Sequence, residues 1–223
     1  FKFFDDKTIS SVLERGGVDQ FLQLQKMSEE KVTNVVFMGM GEPFLNYKNS
    51  IAAADLLHHS RGINMAAWRI TISTAGIVPK IRQFSDEQQP YKLAVSLNGT
   101  TQNQRLKTMP ITKTHSFSNL IKISKDYAYN SRNRITFEYV LIDGINDHPK
   151  DAEKLIQILG SIECKLNIIP YNEIGDVYNR PSDETIEAFI HSSHPIIGTM
   201  WHPERMKDEN NYNLIKIFFN KER

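Results

Sequence analysis

Short apolar runs alternate with segments of helical spacing along most of the chain. Five runs have the length and the β-branched or aromatic content of strands, and turn-forming residues follow them. These predicted strands are residues 32–38, 66–73, 91–97, 134–142 and 165–169, and a sixth is predicted at 195–200. The first run has no polar alternation, so we expect its strand to be buried on both faces.

The segments between the runs repeat apolar residues at helical spacing. The clearest pattern has Ala152, Leu155, Ile156 and Leu159 at i, i+3, i+4 and i+7, behind Pro149 in the first turn. Ser182 is typical of an N-cap and predicts a further helix. The remaining predicted helices are residues 6–30, with a break at Gly16 and Gly17, then 50–59, 78–84, 116–129 and 212–220.

This alternation predicts an α/β fold in which a parallel sheet is connected by helical crossovers. The sheet is either open and doubly wound or curved into a barrel, and 223 residues with 40% hydrophobic content suffice for one such unit. Ligands of these folds bind at the carboxyl ends of the strands. The polar residues that follow the strands are therefore candidates for a site: Glu42, Ser73, Ser96, Asn98, Asp143, Asn146 and Asn172. Each of them alone is also typical of a turn or a cap.

The turn after the first predicted strand holds the most informative candidate. Gly39 and Gly41 lack a Cβ and let a ligand approach the backbone closely, and Glu42 stands between this turn and the rigid ring of Pro43. A carboxylate held there could accept hydrogen bonds from a ligand's ammonium group. The alternative is an ordinary strand-to-helix turn with a solvated glutamate.

The composition of the chain indicates its cellular location more than its function. The net charge of +1 and the sequence pI near 8.0 give no strong electrostatic case for nucleic acid. The single cysteine, Cys164, excludes an internal disulfide, and no apolar run approaches the roughly 20 residues of a membrane span, so we expect a cytoplasmic location. Phe1 is not followed by a signal-peptide pattern, which is consistent with an excerpt of a longer chain.

Five strings, in this order and at these separations, resemble a known enzyme family. They are VTNVVFMGMGEPFLNY, ITISTAGIVPKI, AVSLNGTTQNQR, ITFEYVLIDGINDHPKDAEKL and CKLNIIPYN. They look like the radical S-adenosylmethionine enzymes that methylate C2 of an adenine in 23S ribosomal RNA and in transfer RNA, over roughly residues 30–189. The resemblance implies a partial (β/α)6 radical-SAM-type barrel with parallel strands, S-adenosylmethionine as cofactor and RNA as partner. It divides the chain into an N-terminal helical segment (1–30), the barrel core (31–190) and a C-terminal strand and helix (191–223).

The resemblance also implies roles for individual residues. Gly41 and Glu42 would hold the methionyl end of the cofactor, with Glu42 on its ammonium group. Ser73, the stretch Ser96, Leu97 and Asn98, and Asn172 would complete the cofactor site.

Two sulfur sites of the family have no counterpart here. Family members carry a CxxxCxxC loop before the GEP strand, which holds a [4Fe-4S] cluster, and a methyl-carrying cysteine near the C-terminus. In this chain Cys164 stands at the start of the fifth predicted strand, on the end opposite to the proposed site, where a structural role is expected. We therefore expect no metal ligands in this chain and no RNA methylation by it as it stands.

The C-terminal string HPIIGTMWHPER resembles the end of class I glutamine amidotransferases. This resemblance implies that His202 would be the base and Glu204 its orienting carboxylate. The cysteine nucleophile is missing, so we interpret the pair as non-catalytic. Three hypotheses result: the core of an RNA methyltransferase, a degenerate S-adenosylmethionine-binding module without catalysis, and a hydrolase of the glutamine amidotransferase type.

Overall fold

The strands of the protein form one parallel sheet in the order of the chain. The computed structural model describes residues 18–28, 31–39, 41–173, 177–182 and 186, and the backbone of 198–199. Within this part the sheet has six strands in the order β1 to β6, all parallel. They are β1 Val35–Phe37, β2 Ile70–Thr74, β3 Lys92–Ser96, β4 Ile135–Leu141, β5 Cys164–Pro170 and β6 Gly198–Thr199. Because all six strands run in the same direction, their carboxyl ends share one edge of the sheet.

Helices provide the crossovers between the strands. The described α-helices are α1 18–27, α2 Tyr47–His58, α3 Val78–Asp86, α4 Gln102–Thr108, α5 Phe117–Asn130 and α6 Pro149–Leu159. Short 3-10 helices occur at Pro43–Asn46, Ala67–Arg69 and Pro110–Lys113. The sequence pattern did not predict α4, because QNQRLKT has no apolar stripe and its buried residue is Arg105.

The two faces of the sheet differ in chemistry. Alternate residues such as Ile72, Leu93 and Phe137 are fully buried among the helices. The intervening side chains form a mostly polar surface that we call the inner face: Thr71, Ser73, Lys92, Ala94, Ser96, Thr136, Glu138, Lys165 and Asn167. Period-two alternation thus separates an apolar core from a polar interior that a ligand can enter.

The first strand corrects one prediction. Strand β1 has only the three residues Val35–Phe37, and the prediction that it is buried on both faces is wrong. Val36 is 45% exposed and Met38 is 43% exposed. The reason is that β1 is the edge of the described sheet, and both side chains line the open cavity of the inner face.

The predicted α/β class with parallel strands is confirmed, and the ends of β2 to β5 lie within a few residues of the predicted bounds. Of the predicted N-terminal helix the structure describes 18–27, and of the predicted sixth strand the backbone of Gly198–Thr199. Most of the helix after Ser182, the predicted helix 212–220, and His202 and Glu204 lie outside the described residues. The division into three segments stays a prediction.

Candidate functional site

The Glu42 carboxylate is fixed at the carboxyl end of β2. Its Oε1 accepts hydrogen bonds from the Phe44 N–H at 2.9 Å and from the Thr74 hydroxyl at 2.7 Å, and its Oε2 accepts one from the Ala75 N–H at 2.6 Å. A carboxylate has about four acceptor positions, so these three donors leave room for a ligand's donor. The half-buried Glu42 is therefore held in place rather than freely solvated.

In the described structure, the turn before Glu42 leaves open space for a ligand. Gly41 has a φ of 115°, a conformation that L side chains rarely adopt. A Cβ at Gly39 or at Gly41 would meet no atom of the described structure within 4 Å. Among the described residues nothing therefore blocks the backbone here, as the sequence pattern predicts.

Ser73 and Ser96 meet at a residue that sequence reasoning missed. The Ser73 hydroxyl donates to Glu138 Oε2 at 3.0 Å, and the Ser96 hydroxyl contacts the same oxygen at 3.5 Å. Glu138 is 5% exposed and forms no ion pair with any residue that the structure describes. Burial raises the pKa of its carboxyl group, and the two serine hydrogen bonds oppose this shift. The period-two alternation of Thr136, Glu138 and Val140 along β4 was the signal that could have found it.

The polar groups of Leu97 and Asn98 are engaged in holding β3 against its neighbours. The Leu97 side chain is fully buried, its N–H donates to the Glu138 carbonyl at 2.7 Å, and its carbonyl accepts from Arg105 Nε at 3.1 Å. Asn98 has a positive φ of 50°, and its Oδ1 accepts from the Val140 N–H at 2.8 Å. These contacts shape the rim of the site, and direct ligand contacts of the two residues stay predictions.

The later candidates differ in their surroundings. Asn146 is fully buried, and its side chain accepts from the Ile142 N–H and donates to the Val140 carbonyl, each at 2.8 Å. It therefore stabilises the loop after β4. Asn172 lies two residues beyond β5 and is exposed, and no hydrogen bond in the described structure joins it to Glu42. The structure thus brings Ser73 and Ser96 together, places Glu42 beside the end of β2, and leaves Asn172 on the same edge without a direct contact.

A buried arginine donates hydrogen bonds to the chain at the carboxyl ends of β2 and β3. Arg105 is fully buried, and its guanidinium donates to the Leu97 carbonyl at 3.1 Å, the Thr112 hydroxyl at 2.6 Å, the Ser96 carbonyl at 3.2 Å, and the Ala75 carbonyl. Burial lowers its pKa to about 10. Because it holds the chain after β2 and after β3, Arg105 positions the Ala75 N–H that binds Glu42.

The described residues do not fit a [4Fe-4S] cluster. The chain has one cysteine, Cys164, at the amino end of β5, and burial raises the pKa of its thiol to about 11. Cluster ligands are thiolates, and several are needed. No group of three metal-ligating side chains occurs among the described residues.

The comparisons connect this geometry to known proteins. The chain is 46% identical over 173 residues to a protein of Leptospira interrogans named "probable dual-specificity RNA methyltransferase", covering 78% of this chain and 49% of the relative. It is 41% identical over 175 residues to a dual-specificity RNA methyltransferase of Syntrophobacter fumaroxidans, and this match covers 77% of this chain and 51% of the relative. The crystal structure of a radical SAM methyltransferase from Sphaerobacter thermophilus superposes with a TM-score of 0.73 at 37% identity, over 79% of this chain and 52% of that one.

Over this core, the chain is similar in sequence and fold to radical S-adenosylmethionine RNA methyltransferases. The predicted family resemblance and the predicted partial barrel are thereby confirmed. The chain spans about half the length of the curated family members that it matches. No protein-family model matches the sequence. In the part of the chain that the structure describes, no helix has the length and apolar character needed to cross a bilayer.

Proposed function

We propose that this chain is the cofactor-binding core of a radical S-adenosylmethionine RNA methyltransferase. The observation that carries the proposal is the Glu42 carboxylate, which Thr74 and Ala75 hold at the carboxyl ends of the strands. RNA is the proposed partner, because the relatives are named RNA methyltransferases. Adenine C2 in 23S ribosomal RNA and transfer RNA is the proposed target, in keeping with the sequence resemblance. A cytoplasmic location is part of the same proposal.

Each candidate residue has a proposed part in binding. Glu42 accepts the ammonium group of S-adenosylmethionine, and the open turn at Gly41 admits its methionyl end. Ser73 and Ser96 donate towards Glu138, so their oxygen lone pairs remain available to accept from ligand hydroxyl groups. Leu97, Asn98 and Asn172 are proposed to complete the site. Bound S-adenosylmethionine would supply the methyl group of the reaction.

A second candidate function is S-adenosylmethionine binding without catalysis. The observation that favours it is Cys164, the single cysteine, at the amino end of β5 and with a raised pKa. These 223 residues do not provide the thiolates that a cluster requires. On this basis the chain by itself binds the cofactor weakly and does not methylate RNA. A hydrolase of the glutamine amidotransferase type stays a hypothesis that depends on His202 and Glu204.

Isothermal titration of the 223-residue chain with S-adenosylmethionine tests the proposal. Glu42→Ala should weaken binding about tenfold or more, because it removes a charge-assisted hydrogen bond. Asn172→Ala should weaken it by a smaller factor. Glu153→Ala, an exposed glutamate of α6, is the matched control and should bind like the unchanged chain. Equal affinities for the Glu42→Ala variant and the unchanged chain would refute the assigned site.

Methyl transfer separates the two candidates. If the chain transfers a methyl group from S-adenosylmethionine to an RNA fragment under anaerobic reducing conditions, the binding-only function is wrong. If it binds the cofactor and transfers no methyl group, the function of this chain by itself is binding without catalysis.

A further inference from the structure

The open cavity of the inner face extends to the amino ends of the strands, away from the proposed cofactor residues. It has a volume of about 410 Å³, and it includes Lys92, Lys165 and Arg134 near the amino ends of the strands and Glu138 deeper inside. Lys92 is the first residue of β3 and Ser96 is the last, so along the strand Lys92 lies about 13 Å from the proposed cofactor residue. We call the part around Lys92, Lys165 and Arg134 the basic mouth.

The two lysines of the basic mouth lack a carboxylate partner in the described structure. No acidic side chain of the described residues lies within ion-pair distance of Lys92 or Lys165. Lys92 is half-buried, and burial, followed by the positive charge of Lys165, lowers its pKa. Two like charges therefore face one cavity, an arrangement that a bound anion would stabilise.

The nearby carboxylates do not remove this surplus of positive charge. Glu163 is bound to Arg134 at 2.8 Å on the exposed side. Glu138 lies at the deeper end of the cavity and is held by the serine hydroxyls of β2 and β3. Because Glu138 would repel an anion, the favourable position is at the lysines. The chain as a whole has a net charge of only +1, so the surplus is a local feature.

Aromatic and polar groups surround the basic mouth. The Lys92 Nζ lies 5.6 Å from the centroid of the Trp68 ring, and the Arg69 guanidinium lies 4.4 Å from it. The Asn133 side chain donates to the Pro90 carbonyl at 3.1 Å, which holds the loop before β4 against the loop before β3. Lys92 therefore follows a loop that a hydrogen bond joins to the neighbouring loop.

We propose that the basic mouth binds a phosphate-bearing anion, with Lys92 and Lys165 as its charged ligands. Lysine ammonium groups bind phosphate as point charges, and the cavity volume is in the range of small-molecule sites. The phosphate can belong to a small molecule or to a nucleic-acid strand, and the two sources share the same recognition chemistry. Lys92 and Lys165 lie at the other end of their strands from the proposed cofactor residues, so either proposal can fail without the other.

Tryptophan fluorescence tests the proposal directly. Trp68 becomes the only tryptophan in a Trp201→Phe background, and its position beside Lys92 makes it a reporter of binding. Inorganic phosphate, pyrophosphate, AMP and adenosine are titrated at constant ionic strength. We expect saturable changes with pyrophosphate and AMP, and none with adenosine. Equal responses to AMP and adenosine, or no saturable response to any phosphate compound, would overturn the proposal.

Variants identify the ligands. Lys92→Met and Lys165→Met should each weaken AMP binding about tenfold, and Lys154→Met, an exposed lysine of α6, should leave it unchanged. In the absence of phosphate each of the first two variants should raise the melting temperature at low ionic strength, because it removes like-charge repulsion. A lower melting temperature together with unchanged AMP affinity would show a purely structural role and refute the assignment.

Competition distinguishes the source of the phosphate. A short single-stranded RNA is compared with and without a 5′-phosphate, with pyrophosphate as competitor. Binding that requires the 5′-phosphate indicates a terminal or free phosphate, and equal binding of both, displaced by pyrophosphate, indicates the phosphodiester backbone. RNA binding that pyrophosphate does not displace, and that Lys165→Met does not weaken, would contradict a phosphate site here.

Discussion

The Glu42 carboxylate accepts a hydrogen bond of 2.7 Å from the Thr74 hydroxyl, which links the turn after β1 to the last residue of β2. The same hydroxyl accepts from the Gly76 N–H at 3.1 Å. The Thr74 hydroxyl therefore both orients the Glu42 carboxylate and stabilises the turn after β2. A single side chain on the apolar side of a strand thus controls the geometry of the candidate site.

Thr74→Val tests this relationship. The variant keeps the shape of the side chain but leaves a Glu42 oxygen and the Gly76 N–H with one partner fewer, so we expect a loss of about 1–3 kcal/mol in the free energy of unfolding. Cofactor binding should weaken as well. Thr108→Val is the matched control, because the Thr108 hydroxyl is buried without a hydrogen-bond partner in the described structure. Its removal should leave the stability unchanged or raise it, as measured by urea unfolding. Equal effects of the two substitutions would contradict the role of Thr74.

Replacement of Arg105 should be among the most damaging single changes in the chain. Arg105→Met would leave three backbone carbonyl groups, those of Ala75, Ser96 and Leu97, without this donor inside the protein. We expect a loss of about 3 kcal/mol or more by urea unfolding. Arg82→Met is the control, since Arg82 is exposed and its ion pair with Asp126 at 3.8 Å should contribute less than about 1 kcal/mol. If both variants unfold at the same urea concentration, Arg105 does not support the sheet edge as described.

Glu138→Gln should alter the pH dependence of stability. Burial raises the pKa of Glu138 above its ordinary value of 4.5, so above pH 4.5 the folded state binds more protons at this group than the unfolded state. The contribution of Glu138 to stability therefore rises as the pH falls through its raised pKa towards 4.5 and is lost at higher pH. We expect the variant to be more stable than the unchanged chain at neutral pH. We also expect its stability not to show the pH dependence that Glu138 causes.

The measurement for Glu138 is the difference in melting temperature between the two proteins from pH 4.5 to 7.5. Glu153→Gln, an exposed glutamate of α6, is the control and should keep the slope of the unchanged chain. A Glu138→Gln variant that is less stable at neutral pH would mean that the ionised carboxylate is needed by the fold.

Cys164 should react slowly with thiol reagents. With a pKa of about 11, roughly 0.1% of the thiol is ionised at pH 8, and the thiolate is the reactive form. We expect the reaction with a disulfide reagent to be at least about tenfold slower in the native chain than in urea. Anaerobic incubation with iron and sulfide should likewise give no stoichiometric cluster, as judged by absorbance and iron content. About four irons per chain would refute the interpretation of Cys164 as structural.

Much of the fold could be predicted from local pattern. Strands β2 to β5 and helix α6 follow from apolar periodicity, and the glycines beside Glu42 indicated an open turn before any contact was known. The parallel order of the strands followed from the regular alternation with helices. Such features depend on neighbours in sequence, which is why the sequence alone determined them.

Other features depend on contacts between distant parts of the chain. Ser73 and Glu138 are 65 residues apart, and only the register of β2, β3 and β4 places them on one side of the sheet. Arg105 looks like a surface residue in a polar string, yet it is fully buried because carbonyl groups of two loops need its donors. The exposed side of β1 likewise follows from its place at the edge of the described sheet. The sequence alone thus determined which residues follow the strands, and the tertiary structure decided which of them meet, because hydrogen bonding and burial across the sheet depend on strands that are far apart in sequence.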